Sequence, residues 1–215
     1  MPFKTKQDLV AEILRERIIA GTYARGAKLR QQHIAEELGV SITPVREALR
    51  ALEAEGYITG LSHKGLLVPE AVPEAAREIF ELRVLLERDL TARALQRMTR
   101  AALAELRQSQ ARIVTLTGGS DQQAMRMENY RFHLRLYELA DRPQALQFVR
   151  VLWAGYPFLD QEYAGRRAKQ IAEHEHFLVL AEAGDHAGAV RAMVDHIGSG
   201  WAGQASGREA GRIRI

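Results

Sequence analysis

Residues 27–58, "AKLRQQHIAEELGVSITPVREALRALEAEGYI", decide how the N-terminal third of the chain folds. Ile34, Ala35 and Leu38 recur at helical spacing and stop at Gly39, which predicts a short helix. After "GVS" a second periodic run begins, with Val45, Ala48, Leu49 and Leu52 on one side. Pro44 is tolerated there because a first-turn residue has no intrahelical N–H partner to lose. Upstream, Val10, Ile13, Leu14 and Ile18 predict a helix from about Gln7 to Ala20, closed by Gly21. Downstream, Tyr57, Ile58, Thr59 and Leu66, Leu67, Val68 flank "GLSHKG" and read as one small hairpin. Helix, short helix, turn, helix and hairpin is the order of a winged helix-turn-helix, whose third helix enters the DNA major groove.

Charge placement on that third helix fits DNA. With Val45 and Leu49 inward, Thr43, Arg46 and Arg50 fall on the opposite face. Arg46 is the best base-reading candidate, because its planar guanidinium can donate two hydrogen bonds to a guanine edge. His63 and Lys64, at the hairpin tip before Gly65, suit a phosphate or the minor groove. The competing interpretation is a solvated face, with Arg46 beside Glu47 and Arg50 opposed by Glu53. The order of the elements, more than any single residue, favours DNA.

The whole chain has 215 residues, 47% hydrophobic and 27% charged, the composition of a soluble globular protein with room for one large domain or two small ones. It has no cysteine, which removes disulfides, thiolate zinc sites and cysteine nucleophiles together, so any metal must use His and oxygen. A net charge of +3 permits nucleic-acid binding without demanding it. No apolar run is long enough for a membrane span and no signal peptide opens the chain, so a cytoplasmic location is expected. Beyond Pro69 and Pro73 the pattern changes to long helical periods, with helices expected over about 73–98, 100–116, 120–140, 143–163, 166–183 and 185–197. The chain is therefore divided into a winged helix-turn-helix at 1–70, an all-helical bundle at 71–200 and a glycine-rich flexible tail at 201–215. The fold class is mainly α.

The bundle carries polar groups on core faces. Met125, Phe132, Leu136 and Ala140 define an inward stripe that also holds Asn129 and His133, one turn apart. His174 shares a face with Ile171, Phe177 and Leu178, and His196 lies near Met193 and Ile197. Measured from the Gly184-Asp185 turn, His174 lies ten residues back and His196 eleven on, so an antiparallel hairpin sets both at a height of about 15–17 Å. Three imidazoles and one amide oxygen converging in a bundle make a site for a divalent transition metal with open positions for water or a ligand. The alternative is that each is a hydrogen-bonded core histidine. His176 and His186 are expected at the surface.

Residues 8–68, with "TPVREAL" as the strongest part and "HKGLLV" as the wing, resemble the GntR family of bacterial transcription regulators. By that resemblance Arg46 contacts a base, Thr43 and Ser41 contact phosphates, and Gly65 is the wing glycine. Two positions depart from the pattern. Ile42 stands where the family usually has a DNA-contacting Arg, and it can meet a thymine methyl but not read guanine; Arg25 replaces the usual Pro before Gly26. Residues 73–200 resemble the helical ligand-binding domain called FCD of the FadR-like branch. Its metal motif falls on Asn129 and His133 of "NYRFH", His174 before "AEAGD", and His196 of "MVDHI". The metal expected there is zinc, nickel or manganese. Asn129, as a neutral amide, leaves the cation charge unneutralised, so the centre should attract anions. With the small carboxylate effectors usual in the family, this implies an organic acid against the metal, with Arg83 as charge partner. Phe80, Arg83 and Glu87 share one helical face, so an internal Arg83–Glu87 ion pair is the competing role.

The function expected is a homodimeric transcriptional repressor, not an enzyme, reading a pseudo-palindromic operator under control of the acid. The signal is expected to pass through the connection at Pro69 to Pro73. The enzyme alternative is a metal-dependent hydrolase, since three His and an open position can activate water. However, no HExxH, GxSxG or GxxxxGK occurs, and "GSGWAG" at 198–203 follows a helix instead of a strand. A third reading makes the metal structural and the bundle a dimerisation unit.

Overall fold

The first helix, α1 (Lys6–Ile19), starts because Thr5 and Asp8 satisfy each other's exposed amides: Asp8 N donates to Thr5 Oγ1 at 3.1 Å and Thr5 N to Asp8 Oδ2 at 2.9 Å. The computed structural model describes residues 5–62, 65–70, 72–117, 121–155 and 164–211. Helix α1 buries Val10, Ala11, Leu14 and Ile18, whereas Ile13, expected in the stripe, is exposed. At 100° per residue the buried arc is centred between Val10 and Ala11, which leaves Ile13 more than a right angle away. Helix α2 (Gln31–Leu38) ends at Gly39 in the left-handed conformation, φ +63°, and α3 (Ile42–Ala54) follows from Ser41. Val45, Ala48, Leu49 and Leu52 are fully buried.

Strands β1 (Thr59–Leu61) and β2 (Gly65–Leu67) pair antiparallel, with Thr59 opposite Leu67 and Leu61 opposite Gly65. Tyr57 and Ile58, expected to begin the strand, are instead buried just before it. The wing is tied back to the chain before α2: Leu29 N donates to Leu66 O, Val68 N to Ala27 O and Gly26 N to Val68 O. His63 and Lys64 lie outside the described residues.

A 3₁₀ turn, Pro73–Ala75, leads into α4 (Ala76–Gln96), three residues later than the periodicity predicts. Then come α5 (Arg100–Thr117), α6 (Gln122–Glu138), α7 (Pro143–Gly155), α8 (Ala164–Glu182) and α9 (His186–Gly211). The helix predicted over 143–163 is described to Gly155; residues 156–163 lie outside the described residues. Helix α8 turns into α9 at Gly184, φ +77°, where Asp185 N donates to Leu180 O and Asp185 Oδ1 accepts from Gly188 N. Helix α4 packs on α9, α7 and α6, α5 on α6 and α8, and α8 along α9.

One expectation needs correction. The last helix does not end near Ile197, and the segment assigned to a flexible tail is helical through Gly211. Each Gly in a helix costs only about 1 kcal/mol relative to Ala, and the Ala, Ser, Gln and Glu between the glycines support the helix with no Pro to stop it.

The two units also touch directly. Helix α1 packs on α6 and α7, and Arg131 Nη2 of α6 donates to Glu16 Oε2 of α1 at 2.9 Å. Arg15 pairs with Glu55 at 2.8 Å and sets its guanidinium 5.3 Å from the Tyr57 ring centroid. Buried residues of both units form one contiguous apolar cluster. The left-handed turn and the late helix give substitutions of opposite sign. Gly39→Ala should destabilise the chain by about 1–2 kcal/mol, because a Cβ is strained at positive φ. Gly198→Ala, with open space around a helical position, should stabilise it by roughly 0.5–1 kcal/mol. Urea unfolding of the two variants checks both signs.

Candidate metal centre and DNA-reading face

His133 on α6, His174 on α8 and His196 on α9 are all buried, and they meet in the middle of the helical unit. Their Nε2 atoms form a near-equilateral triangle: 3.1 Å from His133 to His196, 3.3 Å from His133 to His174 and 3.2 Å from His174 to His196. Ligands sharing one cation at about 2.1 Å lie roughly 3.0–3.4 Å apart, so the three nitrogens fit one transition-metal ion. Among the described residues this is the cluster of three metal-ligating side chains.

The outer ring nitrogens explain which way the lone pairs point. His196 Nδ1 lies 2.8 Å from Glu173 Oε2, and a carboxylate accepts, so Nδ1 carries the proton. His174 Nδ1 lies 3.1 Å from Gln110 Oε1, whose amide is oriented by Nε2 donating to Ile171 O at 3.0 Å. His133 Nδ1 lies 3.2 Å from Tyr137 Oη, and that hydroxyl donates to Glu87 Oε2 at 2.6 Å, so its oxygen accepts from the ring. With each Nδ1–H turned outward, three Nε2 lone pairs face one point, the arrangement a cation requires. Burial, with His196, His174 and Arg83 adding to it, holds His133 well below its usual pKa of 6.5, so it stays the neutral ring a metal needs. Phe132 stacks on His174 at 4.3 Å between centroids and fixes the plane of that ring.

Asn129 lies one turn before His133, half-buried, and its Oδ1 accepts from Gln170 Nε2 at 2.5 Å. An amide oxygen has two lone pairs, so this bond does not exhaust it. Arg83 is buried and its Nε donates to Glu87 Oε1 at 2.7 Å, so the ion pair weighed as its competing role is formed. Its guanidinium lies 4.5 Å over the Trp153 ring. A cavity of about 460 Å³ opens between α4 and α9, lined by Phe80, Glu81, Val84, Val194, Asp195 and Gly198. His176 and His186 are exposed, as expected.

Glu87, Tyr137, Trp153, Gln110 and Glu173 are the residues that sequence reasoning did not assign to the site. Glu87 and Tyr137 left a signal, since Glu87 follows Arg83 and Tyr137 follows His133 by one turn on buried stripes. Gln110 and Glu173 left none, because their helices are polar at many positions and only the tertiary fold selects these two.

On the DNA side, Ser41, Thr43, Arg46 and Arg50 are exposed on the face opposite the buried stripe of α3, with Ile42 beside them at 41% exposure. Ser41 makes no capping hydrogen bond with its side chain. Arg46 and Arg50 share Glu47, at 3.5 and 3.2 Å, and Glu53 faces the wing at Gly60 instead of Arg50. Gly65 opens β2 at φ +80°, a conformation few residues other than glycine accept.

A winged helix presenting arginines, followed by a helical bundle with an internal imidazole cluster, is the build of a ligand-sensing DNA-binding regulator. The chain belongs to the gntR family of bacterial regulatory proteins: that family's model matches residues 6–68, and the model of the FCD domain matches residues 78–199. Among curated relatives, it is 29% identical over 171 residues to the HTH-type transcriptional regulator McbR of Escherichia coli K12, covering 78% of this chain and 77% of that protein. It is 41% identical over 78 residues to the gluconate operon transcriptional repressor of Bacillus subtilis, covering 36% of this chain and 32% of that one. The fold is shared with the solved structure of E. coli McbR/YncC, with a TM-score of 0.83, 24% identity, and coverage of 93% of this chain and 97% of that one. The likeness is to transcriptional regulators, and the hydrolase alternative is dropped. No helix among the described residues is long and apolar enough to cross a membrane.

The cluster sets an expectation for metal content. Purified protein should carry about one divalent ion per chain, and His174→Ala should remove it and lower the melting temperature, because metal binding is coupled to folding. Asn129→Asp should bind the ion more tightly by adding a formal charge. Elemental analysis and thermal melts of the three proteins check this.

Proposed function

We propose that the chain is a homodimeric repressor whose operator affinity is set by a small carboxylate bound at a metal centre. The metal is held by Asn129, His133, His174 and His196, and an all-nitrogen-and-oxygen donor set suits zinc, nickel or manganese. The observation that carries this reading is the convergence of three buried Nε2 atoms within 3.3 Å on α6, α8 and α9. Arg83 is the charge partner proposed for the acid; in support, it pairs with Glu87, whose other oxygen reaches His133 through Tyr137. The cavity between α4 and α9 is lined by chain neighbours of Arg83 and His196, among them Val84 and Asp195. Repression is favoured by the similarity to the gluconate operon repressor. Two half-sites one helical turn apart call for a dimer, and binding operator DNA calls for a cytoplasmic location.

The DNA contacts proposed are Ser41, Ile42, Thr43, Arg46 and Arg50 from α3, and His63, Lys64 and Gly65 from the wing. The chain is divided at 70/71, and the signal has two routes. One is the connection at Pro69 to Pro73. The other is α6 itself, which carries His133 and, two residues earlier, the Arg131 that binds Glu16 of α1.

Arg46→Ala should bind operator and scrambled DNA with equal affinity while its melting temperature stays unchanged, because the side chain leaves no cavity; fluorescence anisotropy decides, and retained operator preference would sink the assignment. A panel of mono- and dicarboxylates titrated by calorimetry, with and without operator, tests the signal. Linkage requires the acid and the DNA to change each other's affinity by the same factor, typically about 5–150-fold. Equal acid affinity in both titrations would mean that the acid is not the signal.

A further inference from the structure

Glu87 is a carboxylate with no exposed surface, yet it lies outside any ligand set. Three donors from three helices converge on it: Arg83 Nε of α4 at 2.7 Å and Trp153 Nε1 of α7 at 3.0 Å on Oε1, and Tyr137 Oη of α6 at 2.6 Å on Oε2. A single ion pair would be enough to neutralise Arg83. The other two donors bring the carboxylate into contact with the centre, because Tyr137 is also the partner of His133 Nδ1.

We propose that Glu87, acting through Tyr137, is a positioning residue for the imidazole cluster: it holds His133 in the tautomer that turns Nε2 toward His174 and His196. The direction of the relay is fixed by chemistry. A tyrosine hydroxyl is a phenol that carries its proton at neutral pH, and here it lies 2.6 Å from Glu87 Oε2 and 3.2 Å from His133 Nδ1. That proton goes to Glu87, because an ionised carboxylate can only accept. The phenol oxygen then has only lone pairs to offer His133, which must answer with Nδ1–H. If Glu87 were absent the hydroxyl could rotate and donate to Nδ1, and the proton would move to Nε2, facing the other two rings. His196 is held in the same sense by Glu173, so two of the three rings are backed by carboxylates. These anionic partners supply from the outer layer the negative charge that Asn129 does not.

A second consequence follows from where the donors sit. Glu87 and Arg83 belong to α4, the helix that leaves the connection from the winged domain, and Trp153 to α7, which packs on α1. Tautomer and ring orientation at His133 thus depend on how α4, α6 and α7 pack together.

The inference rests on the metal reading above, so the test measures the ring as well as the ion. In metal-free protein labelled with ¹⁵N-histidine, the ring shifts of His133 should report Nδ1–H in the wild type and a mixture of tautomers in Tyr137→Phe. Metal affinity, read with zinc and a competing chromophoric chelator, should fall about 10–100-fold in Tyr137→Phe. It should fall at least as far in Glu87→Gln, whose amide can donate as well as accept and so no longer fixes the direction of the Tyr137 hydroxyl; should that variant not fold, Tyr137→Phe alone decides. Thr91→Val removes a buried bond to the Glu87 carbonyl at 2.7 Å without touching the carboxylate, so it should lower stability and leave zinc affinity unchanged. Wild-type tautomer and zinc affinity retained in Tyr137→Phe would overturn the inference, as would an equal loss of affinity in Thr91→Val. A wild-type protein that takes up no zinc would remove the metal reading, while the tautomer of His133 would still decide the role of Glu87.

Discussion

Three buried imidazole nitrogens about 3.2 Å apart crowd three lone pairs toward one point, and a shared cation is a partner that would satisfy them together. Each outer nitrogen has an acceptor of its own, which turns the inner nitrogens toward one another as lone pairs, and that orientation constrains the helices around them. Much of the bundle can be understood as the support this constraint demands. Helices α8 and α9 form a hairpin whose Gly184 turn sets His174 and His196 level, and α6 crosses to bring in His133. Phe132 clamps one ring, and Gln110, Glu173 and Tyr137 orient all three.

Such a site joins its supporting helices at the cost of burying charge. Arg83 and Glu87 would each be expensive alone in the core; together they compensate each other, and Tyr137 and Trp153 add two more hydrogen bonds to the carboxylate. Removing one partner of a buried pair of this kind typically costs about 3–5 kcal/mol. The pair therefore binds α4, α6 and α7 into one arrangement, and the orientation of His133 is inherited from it.

The winged helix was legible in the sequence almost residue by residue because its signals are local. Gly39 ends α2, Pro44 falls in the first turn of α3, and the buried stripe of Val45, Ala48, Leu49 and Leu52 follows the helical period. The three histidines were also legible, since apolar neighbours on their stripes marked them as inward-facing and the Gly184-Asp185 turn gave a ruler. What could not be read were contacts made between helices far apart in the chain. Gln110 meets His174 across 64 residues and Trp153 meets Glu87 across 66, and nothing local distinguishes them. Ile13 was misplaced because spacing alone does not centre the buried arc, and the end of α9 was misplaced because glycines weaken a helix without ending it.

The contact between Arg131 and Glu16 bears on how such regulators are assembled from parts. The two units are not beads on a string: the first helix of the DNA reader lies on the helix that supplies His133, and Arg15, Glu55 and Tyr57 lie close behind that contact. A chimera that grafts another winged helix onto this bundle at the Pro69 to Pro73 connection would keep the covalent join but exchange one side of this contact. Modularity here is limited by α1, which must be inherited together with α6, and the natural cut for domain exchange lies at a matched pair of surfaces instead of at a linker.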